Sequence, residues 1–432
     1  MAGVHRLSTE EVMRISRERF IHIYTQHYID LSTIHHFFDA SLFDLSGEEI
    51  KDVELALLLL ASAHKVSNQQ FDAASKFLNL CAFLSSRTGS SVQRVIHYFT
   101  KALQERISRR IGIVPLNGSE SKERMLLHPS QTTVRFDPAL ISCSLKLPCV
   151  QLTKFAGVQA VIDNLPSARK VHLINLSIGT GGNCTVLMQA LANRQDCPVE
   201  LLKITAVGVT ALRQNFEDTG KRLACFAETL KLPFFFQTVT FVNIKDLKED
   251  MFELSNDEEI AIFAPCIVRN IKAQPGCLSS LVRVLRNLNP CVLVMIELEA
   301  NHSSTIFIDQ FVEALQFYSS CFDCIQDCID QSESRIAAEA FLGQEIKNIV
   351  AVKYEEKIYH HMKIDEWRAY FTRLGLVEIE VSRSCFEQAE LMLQNFASGK
   401  SCLLVRNGKC LICGWKGTSH FSVSAWKFHR RR

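Results

Sequence analysis

The chain lacks long apolar runs, net charge, and the compact motifs that mark hydrolases and phosphotransferases. Nowhere in its 432 residues does an apolar run approach the roughly eighteen needed to cross a membrane; the longest candidates, 55–61 and 291–296, are short. Lys and Arg number 48 against 46 Asp and Glu, a net charge of +2, so no whole-chain field steers it to nucleic acid. Any DNA contact must therefore come from a local patch. There is no nucleophile elbow around a serine, no HExxH, and no Walker lysine after a glycine turn. No apolar leader follows Met1; the opening is charged and polar (Glu10, Glu11, Arg14, Arg17, Glu18, Arg19). A soluble chain in the cytosol or nucleus is expected, and its 16 cysteines read as buried free thiols rather than a disulfide framework. Internal repeats and low-complexity tracts are absent as well.

Apolar residues make up 47% of the chain, ample for a large core. The length allows two or three domains, or one α/β body with an accessory layer. Residues 1–115 read as helices: 54–65 is apolar nearly all round, Phe71, Ala74, Leu78 and Cys81 form one stripe, and Val92, Val95, Ile96, Phe99, Ala102, Leu103 and Ile107 form another. A polar connector at 117–131 marks a boundary. Beyond it, predicted strands at 170–176, 201–209, 259–263 and 291–298 alternate with helices at 182–193 and 218–230, the rhythm of a mainly parallel sheet covered on both faces. Residues 303–345 turn helical again; 346–352 reads as a strand, 364–374 and 385–396 as helices. Residues 401–415 read as a hairpin about Asn407-Gly408, in a type I′ turn.

The most informative stretch is 171–191, VHLINLSIGTGGNCTVLMQAL. An apolar strand runs into Gly179, Gly181 and Gly182 and then into a helix, as in nucleotide-binding α/β units, where glycine lets backbone N–H groups approach a ligand. Yet the strand ends on Asn175, and the next strand ends 206–210 with no carboxylate before Glu217. An adenosyl donor needs an acid there for its ribose hydroxyls, so the turn reads as structural; cofactor binding is the alternative.

Other constellations have a structural reading first. Cys321, Cys324 and Cys328 share one helical stripe, a core pattern before a ligand set. Cys410 and Cys413, three apart in a strand, point to opposite faces, and His35-His36 and His360-His361 lack ligand spacing; no metal is expected. Glu297 and Glu299 flank the end of an apolar strand, where α/β active sites gather, but read first as rim carboxylates bonded to loop amides. Arg106, Arg109 and Arg110 cluster at a helix end, where they also suit the dipole, and Lys427, His429 and 430–432 make a basic terminus. Leu55, Leu58 and Leu59 match a groove-docking pattern on a helix apolar enough to be core.

Together these residues resemble the GRAS family of plant transcriptional regulators, Scarecrow-like and DELLA-related but without a DELLA segment, over about 53–428. VHLIN at 171–175 stands where that family has VHIID, followed by 187–194. Thr219-Gly220, Arg222-Leu223, Phe226-Ala227 and 232–234 resemble its TGxRLxxFA…PF segment. Asn289-Pro290, Glu297 and 299–302 resemble its NP…ExExNH element, continued by Phe311, 313–315 and Tyr318. Then come Glu345-Ile346, 348–350 and Trp367-Arg368, and Gly414-Trp415 with Ser424-Ala425-Trp426 resembles the closing SAW motif. The chain departs from the pattern at Asn175 (aspartate in the signature), Cys184 (commonly Trp or Tyr), Gly208 (often an acid) and 355–361 (an arginine-rich block); a long N-terminal activation region is also missing.

The resemblance implies an α/β, Rossmann-like, methyltransferase-type core with a mainly parallel sheet plus an α-helical cap. The expected division is a cap region at 1–115 and a core at 130–432, with a helical insertion near 303–345 joining the cap. It implies a nuclear, non-enzymatic regulator without a cofactor. Its partners would be other transcriptional regulators, including GRAS proteins, in homo- or heterodimers, with direct DNA contact as a further route and no membrane. No individual DNA- or partner-binding residue follows from it. The alternatives are an S-adenosylmethionine-dependent methyltransferase, and a degenerate member that only competes for or dimerises with others.

Overall fold

A computed structural model describes residues 6–26, 45–113, 137–330, 332–353 and 356–429. His35-His36, the connector at 117–131 and the arginines at 430–432 lie outside the described residues. The chain divides into two compact units, 1–120 with 300–357, and 121–299 with 358–432.

The first unit is helical: α1 (Thr9–Gln26), α2 (Gly47–Ser67), α3 (Phe71–Leu84), α4 (Ser91–Arg110), α11 (Phe307–Cys328) and α12 (Ser332–Val350). Its helix starts carry the expected chemistry. Ser46 with Glu49 and Ser90 with Gln93 form reciprocal capping boxes, and the Asp323 carboxylate accepts from the N–H groups of Thr9 and Glu10, both at 2.9 Å. The all-round apolar α2 is buried, including Leu55, Leu58 and Leu59, so those leucines are core. Phe99 of α4 meets Phe311 of α11 edge-to-face at 5.4 Å. The strand expected at 346–352 is instead the end of α12 and the residues just after it. Ile346, Ile349 and Val350 are buried at a spacing of three and four, so the apolar run is one face of a helix.

The second unit is a three-layer α/β structure. Its helices are α5 (Pro138–Lys146), α6 (Pro148–Asp163), α7 (Gly182–Ala192), α8 (Arg213–Thr229), α9 (Val268–Lys272), α10 (Cys277–Asn287), α13 (Ile364–Arg373) and α14 (Arg383–Gln394). Its strands are β1 (Lys170–Asn175), β2 (Leu201–Val209), β3 (Phe234–Phe241), β4 (Glu259–Pro265), β5 (Val292–Leu298), β6 (Leu376–Ile379), β7 (Cys402–Asn407), β8 (Cys410–Trp415) and β9 (Thr418–Phe428). They run in the order β3-β2-β1-β4-β5-β9-β8-β7, with β6 also on β9. The first five are parallel, and β9 is antiparallel to β5. This is the Rossmann-like fold class expected from the sequence. One core layer joins α6, α7, α8 and α14 to the sheet, and the other joins α10 and α13 to its opposite face.

The hairpin of β7 and β8 forms where expected, but its turn differs. Asn407 pairs with Cys410, so the loop is Gly408-Lys409, with positive φ at Gly408 alone, as a type II′ turn requires. The type I′ geometry belongs to the next turn, where Lys416 (φ 44°) and Gly417 (φ 94°) link Trp415 to its partner Thr418.

Candidate functional site: the crevice at the sheet's switch point

The strand order reverses between β1 and β4, and a ligand of an open α/β sheet sits outside the strand ends at such a point. There β1 turns into α7. Gly181 takes φ 83° at the N-cap, and a Cβ on it would lie 3.0 Å from Thr219 Cγ2. The turn is tied down by α8. Thr219 Oγ1 donates to the Gly179 carbonyl at 3.1 Å, and Arg222 Nη2 donates to Thr219 Oγ1 at 2.7 Å. Two residues of the Thr-Gly-x-Arg-Leu segment are thus clamps on the glycine turn.

Asn175 is wholly buried, and both ends of its amide are used within the fold. Its Oδ1 accepts from the Ser177 N–H at 2.9 Å, and its Nδ2 donates to Cys184 Sγ at 3.6 Å. Burial pushes the Cys184 thiol up to about 12, which keeps it protonated near neutral pH. Beside it the Lys154 amine is held below its ordinary range by burial, opposed by Cys184.

At the end of β2, where an acid would take ribose hydroxyls, Gly208 faces the ring of Phe216. A Cβ on Gly208 would lie 2.7 Å from Phe216 Cζ, and that ring is itself buried. The hollow bounded by Val158, Val161, Leu173, Asn183, Leu187 and Phe263 holds about 10 Å³, the space of about one water molecule, and is apolar apart from Asn183. Small-molecule sites take roughly 300–1,000 Å³ with converging polar groups. An adenosyl donor does not fit this one.

The acids at the end of β5 are employed otherwise. Glu297 Oε1 accepts from the N–H groups of Val268 (2.7 Å) and Arg269 (3.2 Å) at the start of α9. Both Glu299 oxygens lie 3.1 Å from the Ile364 N–H at the start of α13. Burial raises the Glu299 pKa, while the Ile364 N–H and the Ser422 hydroxyl oppose it. These are the rim carboxylates bonded to amides that the sequence favoured.

Sequence reasoning missed a polar chain beneath the strands. His172 Nδ1 lies 2.9 Å from Glu258, its Nε2 lies 2.7 Å from Thr205 Oγ1, Thr205 donates to Gln237 at 3.1 Å, and Gln237 donates to the Met251 carbonyl at 3.1 Å. Burial brings the His172 pKa down to about 4, although Glu258 pulls the other way. The one signal for it was a histidine inside an apolar strand.

The remaining candidates disperse. Cys410 and Cys413 lie in the two different core layers, on opposite faces of the sheet. No group of three His, Cys, Asp or Glu among the described residues is arranged to hold a metal ion. His361 sits 2.8 Å from an Arg269 nitrogen. Of the basic cluster, Arg106 donates to the Val350 carbonyl at 2.9 Å and stacks on Phe307, and Arg109 pairs with Glu105 at 2.8 Å; Arg110 is left exposed. Lys427 and His429 are exposed. In the SAW motif, Trp426 Nε1 donates to Ser424 Oγ at 2.9 Å and its ring meets Phe371 at 5.0 Å, so the motif is core.

Known proteins resemble the chain over most of its length. DELLA protein RGL1 of Arabidopsis thaliana is 27% identical over 379 residues, covering 88% of this chain and 70% of that protein. DELLA protein GAI1 of Vitis vinifera is 27% identical over 380 residues, covering 87% and 62%. The chain thus spans between 62% and 70% of the length of these relatives. The crystal structure of SCL7 from Oryza sativa superposes with a TM-score of 0.74 at 21% identity, over 86% of this chain and 99% of that one, a likeness of fold. A profile of the GRAS domain family matches residues 55–427, and the chain accordingly belongs to the GRAS family of plant transcriptional regulators.

Proposed function

We propose that this chain is a nuclear regulator of transcription that performs no catalysis and works by assembling other regulators. The observation that carries this reading is the crevice at the switch point. Its strand ends offer an inward-turned amide at Asn175 and an aromatic ring over Gly208, and the nearby acids of β5 cap helices. A scaffold of enzyme topology whose ligand position is packed with its own side chains is left with its surface to work with.

The division of labour follows the two units. The helical unit, including the insertion expected near 303–345, serves as the docking cap, and the α/β unit as the rigid frame. An exposed apolar stripe on α3 supports the docking role: Leu80, Phe83 and Leu84 stand at i, i+3 and i+4, and Phe83 is 84% exposed. Direct DNA contact is a second, salt-sensitive route, through exposed cations such as Arg110 and Lys427. No helix among the described residues is long and apolar enough to cross a membrane.

Titration calorimetry with S-adenosylmethionine separates this reading from a methyltransferase. The regulator gives no heat of binding, whereas an enzyme binds and loses affinity in Gly181→Val. Capture from nuclear extract with the intact chain and with Phe83→Asp tests the docking role, and a partner lost in the variant supports it. Binding to DNA fragments at two salt concentrations tests the second route, and no affinity at low salt removes it.

A further inference from the structure

The Asn407-Gly408 pair at the tip of the β7–β8 hairpin carries chemistry beyond making a turn. In an Asn-Gly step the glycine nitrogen meets little steric hindrance when it attacks the asparagine side chain. The Gly408 nitrogen bonds to Asn407 Cγ, the Cγ–Nδ2 bond breaks, and the proton lost from the Gly408 nitrogen leaves with the amide as ammonia. Water then opens the five-membered imide at one or other carbonyl, giving aspartate or isoaspartate. Water is the one co-reactant. Closure of the ring needs the Gly408 nitrogen turned to the side of the Asn407 side chain, a ψ that a paired extended strand does not adopt.

Asn407 is the last residue of β7, paired with Cys410, and Gly408 and Lys409 are exposed at the tip. Strand ends of this kind open more readily than a core. This one is held by Arg368 of α13, which donates from Nη1 to Asn407 Oδ1 at 2.8 Å and from Nη2 to the Asn407 carbonyl at 2.5 Å. One bond fixes the side chain and the other the backbone, the two halves of the ring that would have to close. The guanidinium is itself anchored. Its Nε and Nη2 donate to the two oxygens of Glu378 at 2.8 and 3.2 Å, and its Nη1 to Asp365 at 2.7 Å. Lys409 ties the far side of the tip, donating from Nζ to the Glu378 carbonyl at 2.9 Å and accepting from the Val381 N–H at 2.9 Å. A Cβ on Gly408 would lie 3.0 Å from Arg368 Nη2, so the guanidinium lies against the turn itself.

We infer that Asn407 is a deamidation site and that Arg368 is the positioning residue that holds it closed. A cation on Oδ1 is also placed to stabilise the oxyanion of ring closure. The bond to the backbone prevails, because it locks the extended form in which the ring cannot close. Reaction would change the hairpin. Aspartate sets a third carboxylate against the guanidinium that Glu378 and Asp365 share, and isoaspartate adds a methylene to the main chain, which breaks the pairing of residue 407 with Cys410. The change runs one way, so it marks each chain whose clamp has opened. This goes beyond the proposed function, since it concerns a modification of the chain itself, whatever the chain recruits.

The test is peptide mapping by mass spectrometry of the full chain during incubation at neutral pH, reading aspartate and isoaspartate at position 407. The same chain unfolded in urea sets the unrestrained rate, and the native wild type is expected to react at least about tenfold more slowly. Arg368→Lys keeps the charge and loses the planar fork. With both charge-assisted bonds to Asn407 disrupted, the native rate there should rise by about tenfold or more. Gly208→Ala weakens the same unit from another strand and should leave the rate at 407 unchanged, which separates a local hold from overall stability. Far-UV circular dichroism checks that each variant is folded; if Arg368→Lys is not, Glu378→Gln, which loosens the guanidinium from its other side, decides. A native chain that reacts at the urea rate overturns the inference. So does an Arg368→Lys chain that reacts no faster than wild type, or a Gly208→Ala chain that speeds up as much.

Discussion

Gly208 and Phe216 provide the sharpest test of the idea that the ligand position is packed with the protein's own side chains. A methyl group at Gly208 would lie 2.7 Å from Phe216 Cζ and 3.0 Å from Cε2, inside any normal carbon–carbon contact. Phe216 is buried between α8 and the sheet and has little room to withdraw. Gly208→Ala alone should therefore cost about 1–3 kcal/mol, the usual penalty of overpacking. Phe216→Ala alone should cost about 3–5 kcal/mol, through lost burial and the cavity left behind. In the double variant the new methyl enters the space the ring has left, so its own penalty vanishes. The two costs should fall short of additivity by about 1–3 kcal/mol, where independent sites add to within about 0.5 kcal/mol. Urea unfolding followed by far-UV circular dichroism measures all four proteins. Strictly additive losses would mean that ring and glycine do not compete for one space, and the account of the crevice would fail.

Three further expectations follow from the same contacts. Glu297→Ala and Glu299→Ala strip buried caps from α9 and α13 and should each cost about 1–3 kcal/mol, read by the same unfolding assay, whereas Gln, which keeps an acceptor, should cost less. Burial holds His172 and His420 near 4 against 6.5 for a free imidazole. The unfolded chain binds more protons between these values, so stability is full above about 6.5 and declines as pH falls toward 4, by up to about 1.4 kcal/mol per pH unit for each histidine. His172→Asn or His420→Asn should flatten that slope, and a slope unchanged in both would refute the assignment. Arg94 and Glu339 pair at 2.9 Å in the helical unit with both side chains buried, so Arg94→Ala should cost about 3–5 kcal/mol by taking the hydrogen-bonded guanidinium from a buried carboxylate; thermal unfolding measures it.

The structure also shows where reading residues along the chain succeeds. β2 falls at the expected 201–209, because a buried parallel strand is a continuous apolar run. The stripe from Val92 to Ile107 declares α4 by period alone. The run at 346–352 misled because seven apolar-rich residues suit a short strand as well as the end of a helix, and only the packing of α12 chooses. β3, β6 and β9 were not foreseen. In β9, Ser422 and Ser424 are buried and break the apolar run, and the strand exists because β5, β6 and β8 all pair with it.

By itself, then, the sequence determined the class of fold, the glycine turn after β1, and the lack of an acid at the ends of β1 and β2, since each is a property of neighbouring residues. What those absences amount to was decided only in three dimensions. Phe216 reaches Gly208 from eight residues away, Thr219 reaches the Gly179 carbonyl across forty, and Glu299 finds the Ile364 N–H across sixty-five. Such contacts depend on where the chain returns, which sheet order and helix packing set and local periodicity does not record. β3 belongs to the same class. Its composition is written in eight residues, but that it lies at the sheet's border is a fact about the other strands.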